Sequence, residues 1–237
     1  MDWSYFYGEN APYLIPYSLP HLLYLAFSAL VIFLMIRCRG WVRRHKNGLC
    51  LVLAAFVMFQ QVSLYTWYAL VTDFDLTEAL PLHICRLCCL LILVFAFTKS
   101  RFALDTVCYF SVFALSSFFY PMRIYHLSHV LGIQFMIAHL SVVLMPFFAV
   151  IAYDWRPCWK SCFRAAVAFT VYLAVILFVN PLLGSNYFYL IDRPFLNGLP
   201  LWLFAGMAYV VTVGAFAAVT AVCASGKPKA CKQTLSA

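Results

Sequence analysis

The chain has 237 residues, of which 65% are apolar and only 10% are charged. A soluble domain is about 45–50% apolar and about 25% charged, so this composition excludes a soluble globular protein. The formal net charge of +8 would fit a nucleic-acid-binding protein only if the basic residues shared one face or helix, and they lie instead in short loops between apolar segments. At about 20 residues per transmembrane helix, the chain has room for roughly seven spans and no second, water-soluble domain.

Seven apolar segments follow one another and predict an all-α, polytopic membrane protein of about seven transmembrane helices. Ser18 followed by Pro20 is typical of a helix N-cap and first turn, so the first helix is expected to begin near His21. The first 20 residues contain no Lys or Arg, and no cleaved signal peptide is therefore expected. The whole chain, residues 1–237, is expected to form one integral membrane domain. Its predicted spans are His21–Ile36, Gly48–Val71, Pro81–Phe97, Phe102–Phe119, Val130–Tyr153, Ala165–Val179 and Leu199–Cys223.

The charged residues fall into alternate loops and define a predicted orientation. Of the 16 Lys and Arg residues, 13 lie on one side: Arg37, Arg39, Arg43, Arg44, Lys46, Lys99, Arg101, Arg156, Lys160, Arg164, Lys227, Lys229 and Lys232. The opposite side carries the acidic residues Asp2, Glu9, Asp73, Asp75, Glu78 and Asp192. Because basic loops stay in the cytoplasm, the N-terminus is predicted to be outside and the C-terminus cytoplasmic.

The third apolar segment contains a cluster of polar residues. Residues 81–89 read Pro-Leu-His-Ile-Cys-Arg-Leu-Cys-Cys. An arginine at the bilayer centre costs about 2.5–3.5 kcal/mol on insertion scales, so polar residues inside spans usually mark function. The alternative is that His83 and Arg86 only form hydrogen bonds between helices or reach lipid headgroups, and this alternative stays open.

Helical geometry selects a histidine partner for the first cysteine of this cluster. At about 100° per residue, Cys85, Cys88 and Cys89 share one helix face, whereas His83 points about 200° away from Cys85. His139 is the better partner, because an unpaired imidazole inside a span is costly, although an interhelical hydrogen bond is the alternative for this residue too. A thiol beside a histidine, with an arginine nearby to favour the thiolate, is the arrangement needed for a covalent acyl intermediate. In a membrane, the substrates of such a site would be lipids.

Other polar residues are candidates for binding the substrate. A guanidinium group suits phosphate, and the loop at residues 184–187 offers an amide side chain and backbone amides to a tetrahedral intermediate. His83 is expected to orient the acceptor or a headgroup, and His21 lies at a comparable depth. No metal site is predicted, because these residues match no closed ligand pattern, and no cofactor is expected. The predicted catalytic residues are Cys85 and His139, and the predicted substrate-binding residues are His83, Arg86, His21, Asn186 and Tyr187.

Three segments carry a resemblance to a known family: residues 81–85, residues 135–139 followed by Pro146, and residues 184–190 followed by Pro194. In this order and spacing they resemble the signature segments of the YwaF-like bacterial integral membrane proteins, which are grouped with animal transmembrane protein 164. The start at residues 17–21 is also similar.

The resemblance implies a cysteine-dependent phospholipid acyltransferase. In the animal branch, a polyunsaturated acyl chain is moved onto ether lysophospholipids, and the nucleophile lies in a Leu-His-x-Cys segment like residues 82–85. By this match, Cys85 would be the nucleophile and His139 the supporting histidine on a later helix. The implied partners are membrane phospholipids or lysophospholipids, and the implied location is the bacterial cytoplasmic membrane.

Alternative functions remain open. Cys85 and Cys88 form a C-x-x-C motif like that of quinone-linked thiol oxidases, but no second cysteine pair is predicted on the same side. A retinal protein needs a lysine in its last helix, and coupled transport usually needs a mid-membrane acid, whereas the only acid within a predicted span is Asp105 near its inner end. The strongest alternative is a non-catalytic membrane protein that binds lipid or a partner, as a receptor or structural subunit.

Overall fold

The computed structural model describes residues 3–9, 11–193 and 195–224, so that Asp2, Pro194, Lys227, Lys229 and Lys232 lie outside the described residues. This part of the chain is built from helices and contains no strand beyond one isolated bridge between Tyr13 and Tyr125. The helices are α1 (Trp3–Tyr7), α2 (Leu19–Arg37), α3 (Arg39–Arg44), α4 (Lys46–Val71), α5 (Leu76–Ala79), α6 (Ile84–Thr98), α7 (Arg101–Phe119), α8 (Val130–Tyr153), α9 (Trp159–Leu183) and α10 (Leu201–Ala224).

The architecture confirms the prediction of an all-α, polytopic membrane protein. Within the described ranges, six helices are long and apolar enough to cross a membrane, namely α2, α4, α7, α8, α9 and α10. The third predicted span, Pro81–Phe97, corresponds to α6, which has only 15 residues. Its length of about 22 Å is less than the hydrocarbon thickness of about 30 Å.

Helix α6 begins at Ile84 and not at Pro81 as the apolar pattern predicted. Leu80 is extended, with φ −62° and ψ 150°, because a residue that precedes proline is excluded from the helical region. His83 is also extended and becomes the N-cap of the helix. The predicted angle between His83 and Cys85 therefore does not apply, since His83 lies outside the helix.

The bundle is organised around α7, the most buried of the long helices. Helix α7 packs against α6, α8 and α9, while α4 contacts α6 and α8. Helix α2 lies against α8, and α10 lies against α9. The centre contains the fully buried aromatic side chains Phe95, Phe110, Phe169 and Phe216.

The predicted grouping of the charged loops is present in the fold. One end, called the basic end below, carries α3, the start of α4, the α6–α7 turn and residues 154–164. There, Arg43 pairs with Asp154, and Lys99 donates a hydrogen bond to the Cys50 sulfur at 3.5 Å. The opposite, acidic end carries α1, α5 and residues 184–193, where Arg123 and Asp192 are 3.5 Å apart. Which end faces the cytoplasm stays a prediction from the positive-inside rule.

The one acidic residue within a span is neutralised by neighbours. Asp105 is fully buried, and Trp155 Nε1 and Arg164 donate to its two carboxylate oxygens at 2.8 and 2.7 Å. Arg101 lies 3.1 Å from the same carboxylate. A buried carboxylate held by two arginines and an indole stabilises the contact between α7 and α9, and this contact gives Asp105 a structural role.

The N-terminal segment is fastened across the acidic end. Trp67 Nε1 donates to Tyr7 O at 2.8 Å, and His129 Nε2 lies 3.0 Å from Gly8 O. Farther along, Leu14 N donates to Ile124 O at 2.7 Å. The residues before α2 are therefore tied to α4 and α8, although the sequence predicted only a short tail without helix α1.

We predict that Gly132→Ala destabilises the protein, because the first turn of α8 passes directly under the preceding loop. A Cβ at Gly132 would lie 2.1 Å from His126 O and 2.7 Å from Tyr125 O, and these are backbone atoms that cannot rotate away. The expected loss is about 1–3 kcal/mol, measured by thermal unfolding in detergent. The matched control is Gly206→Ala in α10, where a Cβ meets no atom within 4 Å. Equal stability of the two variants would contradict this description of the contact.

Candidate functional site

Cys85 lies in the first turn of α6, one residue after the start of the helix. It is a half-buried free thiol, and its sulfur forms no hydrogen bond within the described chain. Tyr24 from α2 and Tyr172 from α9 are close enough to interact with it electrostatically. By contrast, Cys88 and Cys89 are 1% and 0% exposed.

Residues 76–83 precede α6 and are called the entry segment here; they comprise the one-turn helix α5 and the non-helical residues 80–83. Helix α6 has 15 residues and the neighbouring α7 has 19, so the entry segment takes the place of about one helical turn at this end of the bundle. Non-helical backbone inside a membrane is tolerated only where it is buried in protein or borders water, since its polar groups find no partner in lipid. The partners of its backbone groups therefore decide whether Cys85 can be held in place.

Tyr187 supplies two of these partners. Its hydroxyl donates to Leu76 O at 2.8 Å and accepts from Leu80 N at 3.1 Å. Tyr187 is fully buried, and Asn180 holds its backbone on both sides: Tyr187 N donates to Oδ1 and Nδ2 donates to Tyr187 O, each at 2.9 Å. Tyr172 adds a third contact by donating to Leu82 O at 2.8 Å. The entry segment is thus attached to α9 and the loop that follows it.

Arg86 holds the entry segment from the other side. One nitrogen of its guanidinium donates to Glu78 O and, at 3.4 Å, to Leu80 O. The other terminal nitrogen donates to the Tyr68 hydroxyl at 2.5 Å, and the guanidinium lies 5.0 Å from the centre of the Tyr68 ring. An arginine inside the predicted third span is tolerated here because its nitrogens bond to backbone carbonyls and to α4.

His83 pairs with a carboxylate and not with Cys85. His83 Nε2 lies 3.0 Å from Glu78 Oε2, and its ring makes an edge contact with Tyr187 at 5.0 Å. The hydrogen bond from His83 lowers the pKa of the Glu78 carboxyl, while burial lowers the pKa of His83. At neutral pH a charged Glu78 therefore accepts a hydrogen bond from a neutral imidazole, which holds the His83 ring at the N-cap of α6.

The hydrogen-bonding groups of two further predicted substrate-binding residues, His21 and Asn186, also bond to other parts of the protein. His21 is fully buried; Tyr17 N donates to its Nδ1 at 2.9 Å, and Nε2 donates to Phe118 O at 2.8 Å. Asn186 accepts from Ile191 N at 2.9 Å and donates to Asp192 O at 2.8 Å. These contacts favour structural roles for both side chains, so substrate binding by them stays a prediction.

One ring nitrogen of His139 is hydrogen-bonded, and the other forms no hydrogen bond with a described residue. Its Nδ1 lies 2.9 Å from Phe135 O, and because a carbonyl can only accept, Nδ1 carries the proton. Nε2 is then the basic nitrogen, and it forms no hydrogen bond with any described residue. The side chain is 8% exposed and stacks on the Phe135 ring at 3.8 Å. No hydrogen bond joins His139 to Cys85 in the described part of the chain.

The two predicted catalytic residues nevertheless lie at similar depth. Helices α6 and α8 run in the same direction, and the ring contact of Phe95 with Tyr153 at 5.3 Å fixes their register. Counting back at about 1.5 Å per residue, Cys85 is about 15 Å and His139 about 21 Å from that contact. Tyr24, which interacts with Cys85, also donates to Met136 O at 3.5 Å, beside the turn that carries His139. About one helical turn therefore separates the two residues along the bundle axis.

The sequence interpretation did not identify four side chains that hold the site: Tyr68, Glu78, Tyr172 and Asn180. Asn180 had a detectable signal, because it is a polar residue at the end of an apolar run and is only 1% exposed. Tyr68 and Glu78 had none, since a tyrosine and an acid at the ends of spans are ordinary interfacial residues. Tyr172 had a signal too, because it lies in the middle of a predicted span, where a tyrosine hydroxyl needs a hydrogen-bond partner.

These features define a polytopic helical membrane protein in which the short helix α6 carries a cysteine in its first turn. The segment before this helix is held in place by side chains of other helices and loops. A sequence model of the TMEM164 family matches residues 16–224, so the chain belongs to the TMEM164 family. The grouping with transmembrane protein 164 is thereby confirmed, and the match includes all three resembling segments. No curated protein and no solved structure gives a significant match.

We predict that Tyr187→Phe loosens the entry segment, because it leaves Leu76 O and Leu80 N without their partner. The free energy of unfolding should fall by about 1–3 kcal/mol, the cost of leaving a buried polar group unsatisfied. Hydrogen exchange of the amides at residues 76–83 should accelerate. The matched control is Tyr189→Phe, two residues away, whose hydroxyl has no hydrogen bond to a described residue. The role assigned to Tyr187 is wrong if both variants exchange at the wild-type rate.

Proposed function

We propose that this protein is a lipid acyltransferase of the bacterial cytoplasmic membrane that works through a thioester on Cys85. The observation that carries the proposal is the partial exposure of the Cys85 thiol together with its lack of a hydrogen bond to any described residue. Cys85 is half-buried at the start of α6 and forms no hydrogen bond with a described residue, whereas the neighbouring Cys88 and Cys89 are buried in the core. The resemblance of residues 82–85 to the Leu-His-x-Cys segment of the animal branch implies the same nucleophile, and the family match covers these residues.

The proposed reaction has two halves. In the first, the Cys85 thiol gives up its proton, and Sγ attacks the ester carbonyl of a donor phospholipid. The ester C–O bond breaks, the acyl chain remains on sulfur as a thioester, and the lysophospholipid leaves with a proton. In the second, the hydroxyl of an acceptor lysophospholipid gives up its proton and attacks the thioester, which releases the thiolate. Nothing is oxidised or reduced.

We assign the proton transfers to Nε2 of His139. This nitrogen carries the lone pair, is unoccupied among the described residues, and lies within about one helical turn of Cys85 in depth. Hydrogen bonds between catalytic groups are often long or absent before substrate binds, so a partner at this depth is compatible with a general base. His83, Arg86 and Tyr187 act in the proposal as positioning residues, because their polar atoms hold the entry segment.

The proposal predicts an acyl adduct on Cys85. After incubation of the purified protein with mixed phospholipids, intact mass spectrometry should show an acyl-sized increment that hydroxylamine removes. The increment should disappear in Cys85→Ser and persist in Cys88→Ser, the matched control one turn along the same helix. Peptide mapping then distinguishes this adduct from one on a thiol at the basic end.

Other outcomes of this experiment have definite meanings. An adduct that survives in Cys85→Ser would move the chemistry to another thiol. A loss of two hydrogens that a reductant reverses would indicate a Cys85–Cys88 disulfide and a thiol-redox function. Absence of both would leave a membrane protein that binds lipid or a partner without reacting, which is the second candidate function.

The role of His139 gives a separate prediction. His139→Ala should slow acylation about 100- to 10,000-fold at neutral pH, the usual contribution of a general base. At high pH the variant should approach the wild-type rate, because hydroxide can then ionise the thiol without a base. If His139 only fills space, the rate per folded protein should fall by the same factor at every pH.

A further inference from the structure

The residues before α2 cross the acidic end as a strap, defined here as residues 5–9 and 11–17. Most of the hydrogen bonds that hold the strap go to a single loop, residues 124–129. These bonds join Leu14 N to Ile124 O at 2.7 Å, His126 N to Pro12 O at 2.9 Å, the Tyr125 hydroxyl to Glu9 O at 2.9 Å, and His129 Nε2 to Gly8 O at 3.0 Å. The attachment of the strap therefore depends on the conformation of this loop.

Three histidines hold the strap and its loop, and each uses Nδ1 as the acceptor of a backbone N–H. The donors are Tyr17 N for His21 at 2.9 Å, Ser128 N for His126 at 3.3 Å and Leu131 N for His129 at 3.2 Å. A ring nitrogen that accepts a hydrogen bond carries no proton, so all three rings are neutral in this structure. His21 and His129 are also fully buried.

The other three histidines of the chain are bonded differently. His45 and His139 donate from Nδ1 to the carbonyl oxygen four residues before them, at 3.0 and 2.9 Å. His83 is paired with the carboxylate of Glu78. A second proton on these rings leaves each of these bonds in place, because a donor stays a donor. Of the six histidines, the three at the strap are thus the ones that lose a hydrogen bond when they are protonated.

From this pattern we infer that the strap is an acid-sensitive latch, which protonation of its three histidines releases. A proton on Nδ1 replaces the lone pair that accepts the backbone N–H, so that two N–H groups then point at each other. The new positive charge also lacks a counter-ion, since no described carboxylate pairs with any of the three rings. A charged His129 leaves its position and therefore gives up Gly8 O as well.

The pKa of His129 has the sign that a latch requires. Burial lowers this pKa and outweighs the opposing effect of the hydrogen bond to Gly8 O. A histidine whose pKa is lower in the attached form takes up its proton on release. The strap is therefore fully attached above the ordinary histidine pKa, and its attachment weakens as the pH falls below that value. The acidic end is the one predicted to face outside, so the latch responds to the pH on that side.

Other titratable groups face the three histidines. The tyrosines among them do not ionise in acid, since their ordinary pKa is about 10. They are Tyr5, Tyr13, Tyr17, Tyr68 and Tyr125. The carboxylates are those of Glu9, which interacts with Tyr125, and Asp192, which pairs with Arg123 beside the loop. An experiment has to separate these two acids from the histidines.

Hydrogen exchange of the purified, detergent-solubilised full chain tests the latch, with rates corrected for the intrinsic pH dependence of exchange. A histidine that gains its proton on release raises the released fraction about tenfold for each pH unit below its ordinary pKa of about 6.5. Between about pH 7.5 and about pH 5.5, protection of the Leu14 and Tyr17 amides should therefore fall about tenfold or more. The amides of residues 45–50 are the internal control, because His45 keeps its bond when it is protonated.

Variants assign the acid response to particular groups. His126→Asn combined with His129→Asn removes both titrating rings of the loop, while asparagine still accepts a backbone N–H two residues farther on. In this double variant the acid response of the Leu14 amide should disappear, and that of the Tyr17 amide, which depends on His21, should remain. His45→Asn is the matched control, and Glu9→Gln tests the neighbouring acid; both should respond like wild type.

Three results would overturn the inference. The first is a wild-type strap whose protection falls no more than that of the control region. The second is an acid response of the Leu14 amide that persists in the double histidine variant, and the third is a response that disappears in Glu9→Gln. Thermal unfolding at neutral pH shows that each variant keeps its fold. Cys85→Ser should respond like wild type, so this test is independent of the acyl-transfer proposal.

Discussion

The hydrogen bonding of backbone groups inside an apolar solvent is the constraint on which this structure depends. A helix satisfies its own backbone, but the non-helical residues 80–83 before α6 do not, and lipid offers such groups no partner. The molecule meets this constraint with side chains from other elements: Tyr187 and Tyr172 on one side, and Arg86 with Tyr68 on the other. The same contacts fix the start of α6 and therefore the position of Cys85.

This arrangement explains why several polar residues that resemble a reaction centre act mainly as anchors. Arg86 is costly inside a span, and the donors and acceptors of Arg86, His83 and Tyr187 are used by the backbone of residues 76–80 and by the Glu78 carboxylate. Fewer of the predicted site residues keep a nucleophilic or basic atom that is not hydrogen-bonded to the described protein. Among the described residues, neither the Cys85 thiol nor Nε2 of His139 forms a hydrogen bond, and Tyr24 interacts electrostatically with Cys85 and donates to Met136 O, three residues before His139.

The periodicity of the sequence predicts long elements well and short ones poorly. Helix α8 has the predicted bounds, Val130–Tyr153, because a continuous apolar run ends at polar residues on both sides. Helices α1, α3 and α5 carry no such run and were not predicted. The start of α6 was wrong by three residues, because apolar character continues through Pro81 and Leu82 while His83 is extended and caps a helix that begins at Ile84. At the site, the sequence could indicate that Tyr187 matters, but not that its hydroxyl reaches backbone 111 residues away.

Helix α9 is held at both of its ends, and this has a mechanical consequence for the whole bundle. At one end, Arg164 is bonded to Asp105 of α7, and at the other, Asn180 is bonded to the loop that anchors the entry segment. Helix α10 packs mainly along α9, with hydrogen bonds from Tyr109 of α7 to Thr220 at 2.6 Å and from Thr170 of α9 to Tyr209 at 3.2 Å. The two attachments of α9 are about 24 Å apart along its axis, from Arg164 to Asn180 at about 1.5 Å per residue. One continuous helix therefore sets the spacing between the buried carboxylate at the basic end and the loop that anchors the entry segment at the acidic end.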